Sequence, residues 1–156
     1  MAIKTVSHAL SDIGRVRKSN QDSGYSGYQL FFVADGMGGH AGGDIASALV
    51  SQRVAQIDGV FASPDAAKKA LVHTMQEANR ALGQTVKDHS ELAGLGTTFS
   101  GILFTDNQVN IAHIGDSRVY LQRDGELKQV TIDHTFVQRL VDLGRITPDE
   151  ALTHPR

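Results

Sequence analysis

The sequence predicts an α+β fold in which antiparallel sheets are packed against helices. Two observations lead there. Strand-like runs and helical runs are grouped along the chain rather than alternating one for one, which disfavours a doubly wound parallel sheet. From Thr97 onward, four short β-type runs follow one another, with Asp106-Asn107 and Asp124-Gly125 placed as hairpin turns would be.

Each element has its own signal. Residues 2–10 read as a first strand. Residues 14–27, GRVRKSNQDSGYSG, are polar and glycine-punctuated and read as a loop. YQLFFVAD, residues 28–35, is short, aromatic and β-branched, as a buried strand is. Residues 44–57 form a helical pattern with Ile45, Ala48, Leu49 and Val54 on one face. Ser63-Pro64 supplies an N-cap and a first-turn proline for a long helix to about Lys87, with Leu71, Met75, Ala78 and Leu82 turned inward. KDHSELAGLG, residues 87–96, is a loop. The runs 97–104, 108–115, 117–123 and 126–131 are the four strands of a meander. Thr135 and Gln138 fit a capping box, with Gly144 as the stop. Thr147, Pro148 and Glu150 repeat that logic in TPDEALTH.

The chain has 156 residues, one domain's worth, and no internal repeat or linker divides it. A net charge of −2 gives no polyanion-binding surface, so nucleic acid is not an expected partner. There are no cysteines, which excludes disulfides and thiolate metal sites and leaves carboxylates, histidines and carbonyls as ligands. No apolar run has the length of a signal peptide or a membrane span, so a cytoplasmic protein away from membranes is the expectation.

Three polar clusters carry the chemistry. In FFVADGMGGHAGGD an acid, Asp35, leaves an apolar strand and meets a burst of glycines. The strand fixes its position. Gly36, Gly38 and Gly39 would let the backbone come close to a ligand. Taken alone, the pair Asp35-Gly36 also reads as an ordinary turn. A nucleotide loop is disfavoured, because neither G-x-G-x-x-G nor a Lys-Ser/Thr follows. Asp116 ends a second apolar strand in VNIAHIGDSRVY, where a hairpin corner is the plain alternative. In RVRKSNQDS, Arg17 could fork onto a phosphate and Asp22 could hold a metal-bound water; a solvated loop is the alternative.

Five segments together, GRVRKSNQD, VADGMGGHAGGDIAS, GTTFSGILF, IAHIGDSRVY and VTIDHTFVQRLVDLGRITPDEALTHPR, resemble in order the motifs of metal-dependent serine/threonine protein phosphatases of the 2C type, in their bacterial form. The resemblance covers nearly the whole chain. It implies an antiparallel β-sandwich flanked by helices, with a dinuclear Mg²⁺ or Mn²⁺ site at one edge. Asp35 would bridge the two metals, the Gly36 carbonyl would bind one, Asp22 would contact metal-bound water, and Arg17 would clamp the substrate phosphate. Asp116 would help form a third, weaker metal site, and residues 133–154 would be a flap. The reaction implied is hydrolysis of phosphoserine or phosphothreonine by metal-activated water, on substrates of a bacterial Ser/Thr kinase.

The sequence departs from that pattern at several places. Met37 stands where many eukaryotic members carry a histidine proposed as general acid. His40 nearby reads as a loop or helix-start residue, and Asp44 replaces the usual Glu. The family's late Asp-Gly and Asp-Asn metal motifs, both beyond the flap, have no counterpart; Asp106-Asn107 and Asp124-Gly125 read as turns instead. The expectation is therefore a single domain over 1–156 equivalent to the N-terminal two-thirds of a phosphatase, without its C-terminal strands. It should bind metal weakly, have little activity and self-associate through unpaired strands. A catalytically degenerate phosphoprotein-binding module is the alternative.

Overall fold

The computed structural model describes residues 4–39 and 42–155; His40 lies outside them. Strand β1 (Asp22–Ser26) pairs antiparallel with β2 (Leu30–Met37), and β2 pairs with the short β3 (Gly96–Thr97) and with β4 (Phe99–Thr105). Strand β4 turns into β5 (Gln108–Ile114). This gives one antiparallel sheet in the order β1-β2-β4-β5. Strands β6 (Tyr120–Arg123) and β7 (Glu126–Gln129) form a separate two-stranded sheet. The four-run meander is therefore split: its halves belong to different sheets, with the 115–119 corner between them.

Helices α1 (Gly42–Ala55) and α2 (Pro64–Asp88) cover one face of the large sheet. The alternation along β2 assigns its sides. Leu30, Phe32, Ala34 and Gly36 are buried under the helices, while Phe31, Val33, Asp35 and Met37 point the other way. Leu30, Phe32, Phe99, Leu103, Val50, Val54, Ala67 and Leu71 make one core. Phe32 lies between Tyr25 and Phe99, with ring centroids 5.4 and 5.0 Å away. Burying side chains of this size contributes about 1.5–3 kcal/mol each.

Four expectations change. Residues 4–10 form no strand; they reach the sheet only through side chains, Thr5 to the Tyr28 carbonyl and Ser26 to Ser7, so no ladder holds them. Asp22–Ser26, read as loop, is a strand because pairing with β2 outweighs the weak β-preference of Ser and Gly. Helix α1 buries Gly42, Gly43, Ala46, Ser47, Val50 and Val54, whereas Ile45 is exposed and Ala48 and Leu49 are only half-buried. Its inward stripe is one of small residues because the helix lies close against β2: a Cβ at Gly36 would collide with the Gly43 carbonyl oxygen. Thr135 caps α3 (Phe136–Asp142) by accepting from the Gln138 amide, but the Gln138 side chain bonds Asp142 rather than returning to the cap.

The other end signals hold. Ser63 accepts from the Ala66 amide at 3.1 Å, and Thr147 and Glu150 complete a capping box at α4 (Pro148–Leu152). Asp106 and Asp124 take the left-handed conformation of tight hairpins. The β1–β2 turn is clamped by Asp58, whose carboxylate accepts from the amides of Tyr28, Gln29 and Leu30 at 2.6–3.0 Å and from the Tyr25 hydroxyl at 3.0 Å.

Candidate active site

The site is assembled at the end of the large sheet where β1 begins, β2 leaves and β5 turns toward β6. Asp22 and Asp35 are direct cross-strand partners. Side chains of opposed residues share a face, so the register places two carboxylates side by side on the side away from the helices. The 115–119 corner brings Asp116 to them, and the 11–21 loop brings Arg17. Together Arg17, Asp22, Asp35, Gly36 and Asp116 line a cleft of about 530 Å³. Residues spread over 100 positions of sequence thus meet in one place.

Electrostatics follow from that meeting. The Asp35 carboxyl is pushed above the usual carboxylate range, first by burial, then by the charge of Asp22 and a hydrogen bond to it, and then by the charge of Asp116; Arg17 opposes the shift. Like charges gathered at one point leave a potential that a cation relieves. Hard oxygen ligands of this kind suit Mg²⁺ or Mn²⁺. The donors at hand are the carboxylates of Asp22 and Asp35, the backbone of Gly36 at the end of β2, and Asp116. Among the described residues, no three His, Cys, Asp or Glu side chains converge into one ligand group. The residues fit a cation held by few protein ligands and completed by water.

Asp35 is held from behind by residues that sequence reasoning missed. Thr98 accepts from the Asp35 amide at 2.9 Å, and Thr97 donates to the Asp35 carbonyl at 3.0 Å. Thr98 also shares a hydrogen bond with Ser117, next to Asp116, at 2.6 Å. One hydroxyl thus joins the backbone at Asp35 to the corner that carries Asp116. The signal was the tandem Thr97-Thr98 at the entry to a strand, one hydroxyl for each side. A second missed link is the fork of Arg118 onto Asp133, with contacts of 2.6–3.1 Å. It holds Asp133 below the usual carboxylate range, and no spacing rule joins positions so far apart.

The glycine burst now divides. Gly36 is needed because β2 and α1 touch there, and Gly38 because its φ of 148° disfavours any side chain. At Gly39 the space is open.

The described chain is an α+β fold with antiparallel sheets, two helices on one face of the larger sheet and an acidic cleft at its end. Residues 15–152 match the protein phosphatase 2C family, and the chain belongs to it. It is 50% identical over 148 residues to the serine/threonine protein phosphatase PstP of Mycobacterium tuberculosis, covering 95% of this chain and 29% of PstP. It is 37% identical over 154 residues to the protein phosphatase PhpP of Streptococcus pneumoniae, covering 94% of this chain and 62% of PhpP. The crystal structure of the PstP catalytic domain in complex with two manganese ions superposes with a TM-score of 0.83 at 48% identity, over 91% of this chain and 61% of that one. The chain thus spans less than two thirds of the relatives it matches. Among the described residues no helix is long and apolar enough to cross a membrane.

Proposed function

We propose that this chain carries the substrate-facing acidic cleft of a bacterial protein serine/threonine phosphatase acting in the cytoplasm on proteins phosphorylated by a Ser/Thr kinase. Its single most telling feature is the cross-strand pair Asp22 and Asp35, joined by Asp116 and Arg17 in one cleft. PstP is named a serine/threonine protein phosphatase and PhpP a protein phosphatase, and the PstP catalytic domain is seen with two manganese ions, which supports Mg²⁺ or Mn²⁺ here. When bound, such ions make water a nucleophile near neutral pH and offset phosphoryl charge.

The chain's own residues divide the remaining work. Asp35 and the Gly36 carbonyl would hold the metal pair, Asp22 would orient water beside it, and Asp116 would serve a third, weaker site. Arg17, a planar fork, binds the phosphate and sets its orientation. Residues 133–154 act as a flap whose root is pinned by the Arg118–Asp133 fork. Two divalent ions held close together would repel strongly and need several carboxylates around them. Among the described residues only Asp22 and Asp35 are cross-strand carboxylate partners, so this chain would hold such a pair weakly and turn over slowly.

The absence of a three-ligand group among the described residues favours a second reading, a phosphoprotein-binding module without catalysis. A phosphothreonine peptide and manganese separate the two. Manganese-dependent release of phosphate, lost in Asp35→Ala, supports the enzyme. Saturable peptide binding, lost in Arg17→Ala and unaccompanied by any hydrolysis, establishes the module and refutes the enzyme for this chain.

A further inference from the structure

His113 sits on β5 between two elements that flank the cleft. Its Nε2 lies 2.9 Å from the Ile132 carbonyl, at the root of the 133–152 segment. Its Nδ1 lies 2.9 Å from the hydroxyl of Ser100, a residue only 3% exposed. Ser100 in turn donates to the Ser117 carbonyl at 2.8 Å. A proton count says what the three bonds together require of the ring. The Ile132 carbonyl only accepts, so Nε2 carries a proton. The Ser117 carbonyl only accepts, so the single hydroxyl proton of Ser100 is already used. For all three bonds to stand at once, Ser100 Oγ accepts from Nδ1 and Nδ1 carries a proton too. All three bonds coexist only on an imidazolium; a neutral ring forfeits one of them.

The surroundings carry charge of both signs. Asp133, ionised by its fork with Arg118, stands beside the ring and favours the cation. The His134 ring, 4.8 Å away between centroids, opposes it when protonated. His134 also joins the same junction: its amide donates to the Gly115 carbonyl at 2.8 Å, and its Nδ1 accepts from the Gly115 amide at 3.3 Å.

We propose that His113 is a positioning residue that acts as a doubly donating imidazolium, tying the root of the 133–152 segment to the 115–118 corner that carries Asp116, and that loses one of these ties on deprotonation. From that corner the Ser117 hydroxyl continues through Thr98 to the Asp35 amide. His113 thus reaches the backbone at Asp35 and the corner of Asp116 without touching either acid. Its bearing on turnover rests on the phosphatase reading above; the tie itself does not.

The test is amide hydrogen exchange at His134 in the full chain, without metal, corrected for intrinsic rates, at about pH 5.5 and about pH 8.5, on either side of the histidine titration range. In the wild type, protection should fall by about three- to tenfold on going to the higher pH, the loss of one net hydrogen bond. The sign is diagnostic, because protonated His134 cannot accept from the Gly115 amide and its own titration acts the other way. In His113→Gln, and independently in Ser100→Ala, where the ring needs only one donor, protection should stay level or rise. A wild type that does not fall, or a fall that survives in Ser100→Ala, overturns the proposal. Should His113→Gln fail to fold by circular dichroism, Ser100→Ala alone decides. A chain inactive toward phosphopeptide but showing this pH signature refutes the phosphatase reading and leaves the tie standing.

Discussion

Replacing Thr98 with valine removes one hydroxyl and little else, because the two side chains have nearly the same shape. The structure gives that hydroxyl two bonds, one from the Asp35 amide at 2.9 Å and one shared with Ser117 at 2.6 Å. Each is worth about 1 kcal/mol net, with Ser117 half-buried and Asp35 exposed, so Thr98→Val should cost up to about 2 kcal/mol. For a chain of this length that is a fall in melting temperature of about 4–8 °C. The functional effect should exceed the structural one. The lost bonds are those that hold Asp35 and the Asp116 corner in register, so the upward shift of melting temperature on adding manganese should shrink as well. Differential scanning fluorimetry with and without Mn²⁺ reads both, and Thr98→Ser, which keeps the hydroxyl, should restore them. If Thr98→Val melts within 1 °C of the wild type and responds equally to manganese, the argument that this hydroxyl organises the cleft is wrong.

Other outcomes follow from the same structure. Asp35→Asn should abolish manganese response yet stabilise the metal-free chain at neutral pH. The raised carboxyl means that the fold is penalised as pH climbs past 3.8 and carries the whole penalty above the folded value, so the gain should vanish in acid; equal wild-type and mutant stability at pH 7 would falsify this. Asp58→Asn should lower neutral-pH stability by about 2–4 kcal/mol, since three amides and a hydroxyl lose an ionised acceptor. Burial raises the Asp58 carboxyl, but the Tyr28 and Gln29 amides, the Tyr25 hydroxyl and the Leu30 amide outweigh it and hold it low. Its contribution is therefore full above 3.8 and is lost as pH falls through the lower folded value, so denaturant melts of wild type and mutant should converge in strong acid. Arg17→Ala should raise the inhibition constant of inorganic phosphate about tenfold or more while leaving manganese response intact; loss of both would move Arg17 out of the phosphate role. On the sheet face away from the helices, Val33, Val109 and Ile111 remain 51%, 46% and 43% exposed, so a second copy should cover them. Sedimentation that shows only monomer at high concentration would refute that.

Local order was written plainly where a local rule governs it. Ser63-Pro64 and the Thr147 box start helices because capping is decided within four residues. Asp106 and Asp124 mark hairpins because a two-residue turn tolerates few others. The buried strand that carries Asp35 was equally legible, although β2 runs two residues past it to Met37. The inward face of α1 was not. Periodicity favoured Ile45 and Leu49, the larger apolar side chains, but the helix lies so near β2 that only Gly43, Ala46 and Ser47 fit between them.

By itself the sequence determined the helix ends, the turns, the buried strand, the family motifs and the residue types a hard cation would need. Only the tertiary structure decided that Asp22 belongs to a strand opposite Asp35, that the β-meander divides between two sheets, and that Thr98, Ser117, Ser100 and His113 join the two sides of the cleft. The reason is physical. Propensity and capping act over a few residues and leave their mark in neighbouring letters, whereas cross-strand register and hydrogen bonds between distant loops are fixed by packing, which no local stretch of chain records.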